Sequence, residues 1–173
     1  MSSELRVDKI VPTSGVPTGG GGGVVQVIFG STTAPAAQTN AATTQTTLTD
    51  TNLTASITPK FSTSKILVQA FQHFQFANSS NAQMQANLVI CDGNNNILDG
   101  KDLDFDQIRV KEQYGYAGVH PMQLLHSPNT TSAFTYKIRM NLYYCSAGSA
   151  TINAQIAGRE NCVSTITLME ISA

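Results

Sequence analysis

The segment FTYKIRMNLYY alternates strictly. Phe134, Tyr136, Ile138, Met140, Leu142 and Tyr144 fall on one side, and Thr135, Lys137, Arg139, Asn141 and Tyr143 on the other. In an extended chain successive side chains point to opposite faces, whereas a helical period would scatter these six around a cylinder. One apolar face and one polar face describe an antiparallel strand with a core on one side and water on the other. The same period recurs in KILVQAFQHFQFA (Ile66, Val68, Ala70, Phe74, Phe76) and QMQANLVIC (Met84, Ala86, Leu88, Ile90). It recurs again in TNLTASI (Leu53, Ala55, Ile57) and ATINAQI (Ala150, Ile152, Ala154, Ile156).

Turn chemistry separates these runs: Asn78 to Asn81, Asp92 to Asn96, Asp99-Gly100, Ser127-Pro128-Asn129 and Ala147-Gly148-Ser149. Such residues tolerate the backbone angles of tight turns, so hairpins are expected between the strands. Short strands joined by turns predict an all-β antiparallel sandwich or barrel. Residues 31–47, rich in Thr and Ala, read as a long loop or a weakly held edge.

Five consecutive glycines, Gly19, Gly20, Gly21, Gly22 and Gly23, follow Val11-Pro12 and Val16-Pro17. A stretch without side chains cannot pack, and it divides the chain into an N-terminal arm with its hinge (1–23) and a β domain (24–173). The arm carries an apolar set, Leu5, Val7, Ile10 and Val11, that would be wasted on a free tail and predicts docking against another protein. The glycine run lacks the Lys-Ser/Thr ending of a phosphate loop, which leaves it a hinge.

Charged residues make up 12% of the 173, with a net charge of −1. There is no basic footprint for nucleic acid and no polybasic patch for an anionic membrane. No apolar run reaches the roughly 18 residues that a membrane-spanning helix needs. Glu4, Arg6, Asp8 and Lys9 stand where a secretory signal would need an apolar stretch, so synthesis in a cytoplasm is expected. Cys91, Cys145 and Cys162 match neither a disulfide framework nor a metal spacing and read as small buried thiols.

Carboxylates concentrate in DGNNNILDGKDLDFD. Asp102, Asp104 and Asp106 would share one strand face and are weak candidates for a hard cation. An EF-hand loop is excluded twice. A start at Asp92 puts Ile97 where Gly belongs and Leu103 where Glu belongs, and a start at Asp102 puts Gln107 and Gln113 there. His73, His120 and His126 lack zinc spacing, and no nucleophile elbow is present, so no catalytic residue, metal or cofactor is assigned. Tyr114 and Tyr116, in KEQYGYAGVHP, would place two rings on one side of an extended loop and are candidates for a receptor platform.

Four stretches in order, LRVDKIVPTSGVPTGGGGGVVQV (5–27), SITPKFSTSKILVQA (56–70), SPNTTSAFTYKIRM (127–140) and STITLMEIS (164–172), resemble tail-fibre-like and structural proteins of marine and cyanobacterial phages. The resemblance implies a trimeric jelly roll of the tumour-necrosis-factor-like kind behind an arm that docks on other virion proteins. It implies a non-enzymatic virion protein made in the host bacterial cytoplasm. Its expected role is that of a short tail-associated fibre contacting host surface glycan or protein, with capsid decoration or cementing as the alternative. Neither nucleic acid nor membrane insertion is expected.

Overall fold

The alternating segments fold as strands wherever the structure describes them. A computed structural model describes residues 23–40, 44–78, 82–101, 108–112, 116–155 and 162–172. Over them run β1 (Val24–Thr32), β2 (Ala36–Asn40), β3 (Thr49–Ile57), β4 (Lys65–Asn78), β5 (Ala82–Asp92), β6 (Ile108–Glu112), β7 (Tyr116–His126), β8 (Phe134–Cys145), β9 (Ala150–Ala154) and β10 (Ser164–Ile171). The named strand pairs are all antiparallel and form two sheets, as the polar–apolar alternation requires. The protein is an all-β antiparallel sandwich.

β4 is the spine of the six-stranded sheet. One edge pairs with β7 from Ile66↔His126 to Phe76↔Tyr116. The other edge is shared: Lys65 to Phe71 face β10, and Phe74 to Asn78 face β9. β1 lies outside β10, and β2 lies outside β9. At the fork, Ser164 and Gln155 serve the groups of β4 that neither partner strand reaches. The His73 N–H donates to Ser164 Oγ at 2.9 Å, and the Gln155 N–H donates to the His73 carbonyl at 3.3 Å. Gln72 Nε2 and Gln155 Nε2 also donate to Ser164 Oγ, at 3.0 and 2.7 Å. These side chains are buried; their Nε2 groups are paired through Ser164, while Gln72 Oε1 and Gln155 Oε1 are buried without a hydrogen-bond partner.

The second sheet has the order β3-β8-β5-β6. Its inward side chains, among them Leu53, Ile57, Leu88, Ile90, Tyr136, Ile138, Met140 and Leu142, meet Ile66, Val68, Phe76, Ile152, Ile166 and Leu168 of the first sheet in one core. The layers come close at Gly30 of β1, where a Cβ would sit 2.8 Å from the Thr54 carbonyl and 3.0 Å from Ile166 Cγ2. β6 pairs only with Ala82 to Ala86, and residues 97–101 cap the rest of that β5 edge. There the Leu98 N–H donates to the Ile90 carbonyl at 2.8 Å, and Lys101 Nζ to the Leu88 carbonyl at 2.8 Å.

Three expectations about the strands change. Tyr116 to Pro121, expected on an extended loop, open β7 because they pair in register with Phe76 to Phe71 of β4. In β8, Leu142 pairs with Ala86 but Tyr144 pairs with Gln85, so the register slips at Tyr143. Cys145 takes the buried place and Tyr144 turns out beside Gln85. A bulge of this kind adds one residue to a strand and reverses every later side chain. Residues 31–47 are part loop and part edge strand. Ala36–Asn40 adds to β9 although it has almost no apolar content, because Gln38 and Asn40 bond the backbone at the bulge. Gln38 Oε1 accepts from the Leu142 N–H at 2.6 Å, and Asn40 Nδ2 donates to the Leu142 carbonyl at 3.0 Å.

Candidate interaction surfaces

Each sheet turns one face outward, and the two faces differ in chemistry. On the six-stranded sheet, pairing registers place Val27, Met169, Leu67 and Leu125 in a single row across β1, β10, β4 and β7. Val27 is 56% exposed and Leu125 53%. The next row adds Phe29, 65% exposed, beside the polar Thr167, Gln69 and Gln123, and the row beyond it adds Phe71, 52% exposed, opposite Pro121 and Thr165. Lone exposed aliphatics are ordinary, whereas here Val27 and Leu125 are exposed at the two ends of one apolar row whose middle members, Met169 and Leu67, are half-buried.

The outer face of the four-stranded sheet is polar. Asp50, Asn52, Thr54 and Ser56 of β3 stand beside Thr135, Lys137 and Arg139 of β8, with Gln83 and Gln85 of β5 and Arg109 and Lys111 of β6 beyond. Arg139 Nε donates to Asp50 Oδ1 at 2.7 Å and its Nη2 to the Leu48 carbonyl at 2.6 Å. Lys137 Nζ reaches Asn95 Oδ1 at 3.0 Å but stays 3.9 Å from Asp50 Oδ2.

A bulge opens this face between β3 and β8. Asp50 pairs with Arg139 and Thr54 with Lys137, so Thr51, Asn52 and Leu53 stand opposite Ile138 alone. Thr51 Oγ1 repairs the ladder by donating to the Ile138 carbonyl at 2.8 Å and accepting from the Leu53 N–H at 3.4 Å. Asn52 takes a left-handed backbone with φ 65°, which Asn tolerates better than most residues. The resulting depression has a volume of about 200 Å³ and is lined by Asp50, Asn52, Leu53, Thr54, Lys137 and Ile138. None of these was singled out from sequence as a site. The parts lie far apart in the chain, and the only local signal was the polar set of the alternation.

Of the residues singled out from sequence, Leu5, Val7, Ile10, Val11, Gly19, Gly20, Gly21 and Gly22 lie outside the described residues, as do Tyr114, Asp102, Asp104 and Asp106. Gly23 is described, and its carbonyl accepts from the Ser172 N–H at 3.0 Å, beside the end of β10. Tyr116 opens β7, 44% exposed, with its ring centroid 5.9 Å from that of Phe74. Gly118 gives Phe74 its room, since a Cβ there would lie 3.3 Å from the Phe74 ring.

The histidines do not converge. His73 faces outward on β4, while His120 and His126 face inward on β7. Burial lowers the His120 pKa, helped by Lys101, and burial lowers that of His126 against a smaller opposing effect of Asp92. All three cysteines are free; Cys91 and Cys145 are buried as expected, Cys162 is only partly so, and burial pushes the Cys91 thiol up to about 11, so it stays protonated at neutral pH. Asp92 accepts from the Asn94 N–H, the Asn96 N–H and Asn96 Nδ2 at 2.8 Å each. Burial alone would raise its pKa, but these bonds outweigh it and hold the carboxyl below the usual range. Among the described residues no group of three His, Cys, Asp or Glu forms a metal cluster.

No family model and no curated protein matches the sequence. Among solved structures, a chain from the structure of infectious bursal disease virus, Gt strain, is similar at a TM-score of 0.35 and 9% identity. The match covers 93% of this chain and 44% of that one, so this chain spans less than half of its length. A likeness of that grade carries no argument about what this chain binds or does.

Proposed function

We propose that this chain is a non-enzymatic structural component of a phage virion. In this reading it is a short tail-associated appendage that anchors through residues 1–23, packs as a homotrimer through its six-stranded sheet and displays its four-stranded sheet to the host surface. The observation that carries the reading is the contrast between the two outer faces. The row Val27, Met169, Leu67 and Leu125, with Phe29 in the next row and Phe71 beyond the polar Gln69 and Gln123, would leave a lone sandwich with exposed apolar side chains in water. Packing that face against further copies removes them from solvent, while the charged face stays outside.

The strand orders support the jelly-roll part of the reading. β1-β10-β4-β7 and β3-β8-β5-β6 each bring strands from both ends of the chain side by side, as two Greek keys do, with β2 and β9 added at the fork. The threefold, the virion and the arm's docking rest on the family resemblance of the four motifs. Light scattering on the full chain tests the assembly, with three times 18.4 kDa expected and a monomer overturning it. Copy number per particle tests the location: a small multiple of three fits a tail appendage, whereas one trimer for every capsomer would make the chain capsid decoration.

A further inference from the structure

Lys137 Nζ and Asp50 Oδ2 form an ion pair at 3.9 Å, beyond hydrogen-bond length, so neither commits a hydrogen bond to the other. Asp50 Oδ1 is committed to Arg139, which leaves Oδ2 as an acceptor. Lys137 spends one proton on Asn95 Oδ1 and keeps two. Asn52 Nδ2 donates to the Pro35 carbonyl at 3.1 Å, leaving Oδ1 to accept. Thr54 Oγ1 gives its proton to the Tyr136 carbonyl at 3.0 Å, leaving its lone pairs. The rim of the depression thus offers three acceptors and one strong donor above the strand backbone of Leu53 and Ile138.

We infer that the β3–β8 bulge is a binding site for one neutral sugar ring, with a ligand hydroxyl accepting from Lys137 Nζ and donating to Asp50 Oδ2. A ligand rich in hydroxyl donors suits a rim rich in acceptors. The lining holds one cation, Lys137, and one carboxylate, Asp50, so neither a strong anion nor a strong cation is favoured. A volume of about 200 Å³ admits a single ring, below the roughly 300 Å³ at which drug-sized pockets begin. Asn52 holds the opening through a left-handed backbone that Asn tolerates. The inference deepens the proposed function, since it depends on this face being the displayed one, and it assigns host-glycan contact to the bulge.

The test is saturation-transfer NMR on the full chain with methyl α-mannoside, methyl β-galactoside, methyl β-glucoside and N-acetylglucosamine, and with cyclohexanol as a ring lacking the hydroxyl array. Transfer to at least one sugar and none to cyclohexanol is expected. Lys137→Met removes the donor, and Asn52→Gly keeps the left-handed backbone while removing the acceptor. Each should weaken binding by about tenfold or more, with the thermal midpoint little changed. Absence of transfer to all four sugars, or binding unchanged in both variants, overturns the site. A trimer that binds no sugar sinks this inference alone, whereas a monomer that binds sugar through these residues sinks the assembly reading alone.

Discussion

His126 Nδ1, at the last residue of β7, lies 2.9 Å from the hydroxyl of Tyr136 on β8, so a polar contact ties the two sheets together at the margin of their apolar core. The rings meet nearly edge to face with centroids 5.8 Å apart, and Phe134 lies 5.2 Å from the imidazole on another side. Tyr136 is fully buried, and burial raises its phenol pKa far above the ordinary value. The hydroxyl therefore serves as a neutral hydrogen-bonding group.

Burial of the two inward histidines sets a pH dependence. His126 and His120 are both shifted below 6.5 in the folded state, burial being the larger cause for each. The unfolded chain therefore binds protons more readily than the folded one, and stability is retained above about pH 6.5 and lost as pH falls below it. Thermal melts should show a flat midpoint from about pH 7 to 8 and a decline below about 6.5. Tyr136→Phe should cost about 1 kcal/mol at neutral pH by removing the bond. A midpoint that rises on acidification to pH 6 would contradict the assignment.

Gly30→Ala should destabilise by about 1 to 3 kcal/mol, because the added methyl meets the Thr54 carbonyl, which is backbone and cannot swing aside. Urea unfolding measures it. A variant as stable as the parent would mean that β1 can lift away from β3 at no cost.

Met140 and Thr135 occupy opposite faces of β8. Met140→Ala should cost about 2 to 5 kcal/mol, since Met140 is fully buried. Thr135→Ala loses only an exposed bond to Ser56 Oγ at 2.7 Å and should stay within about 0.5 kcal/mol. Equal losses would show that the two faces are not distinguished.

Glu170 is buried with its carboxylate clasping the turn after β3. Gln26 Nε2 donates to Oε2 at 2.6 Å, and the Lys60 and Phe61 N–H groups donate to Oε1 at 2.7 and 3.3 Å. Burial would raise its pKa, but these bonds win and lower it from 4.5. A depressed carboxylate stabilises the fold above about pH 4.5 and releases that stability as pH falls further. Glu170→Ala should cost about 1 to 3 kcal/mol at neutral pH, read by urea unfolding, by orphaning the two backbone donors, and should flatten the acid limb of the melt profile.

Leu125→Asp and Leu67→Asp each place a charge in the apolar row of the six-stranded sheet. Leu125 is exposed in one copy, so its substitution should leave the sandwich folded while light scattering falls from three chain masses to 18.4 kDa. Full retention of the larger mass would remove this face from the interface.

The sequence alone determined β3, β4, β5, β8 and β9 and which side of each was apolar, because side-chain alternation is a local property of an extended backbone, whereas β7, whose first residues read as a loop, was not legible. Ile138 and Met140 of β8, Leu53 and Ile57 of β3, and Val68 and Phe76 of β4 were legible as core from spacing alone. In β10 the structure sets Ile166 and Leu168 inward and Met169 outward beside Val27 and Leu67.

Only the tertiary structure decided which strands meet and where the alternation breaks. Asp50 and Arg139 are 89 residues apart, and no local pattern pairs them. The slip at Tyr143 and the opening at Asn52 are written in no motif. They arise because β8 must satisfy β3 on one edge and β5 on the other while both layers close on one core. Period fixes a face, but register, bulges and forks come from closing the whole sandwich at once. For that reason the polar depression between β3 and β8 emerges only when Asp50, Asn52, Thr54 and Lys137 are brought together.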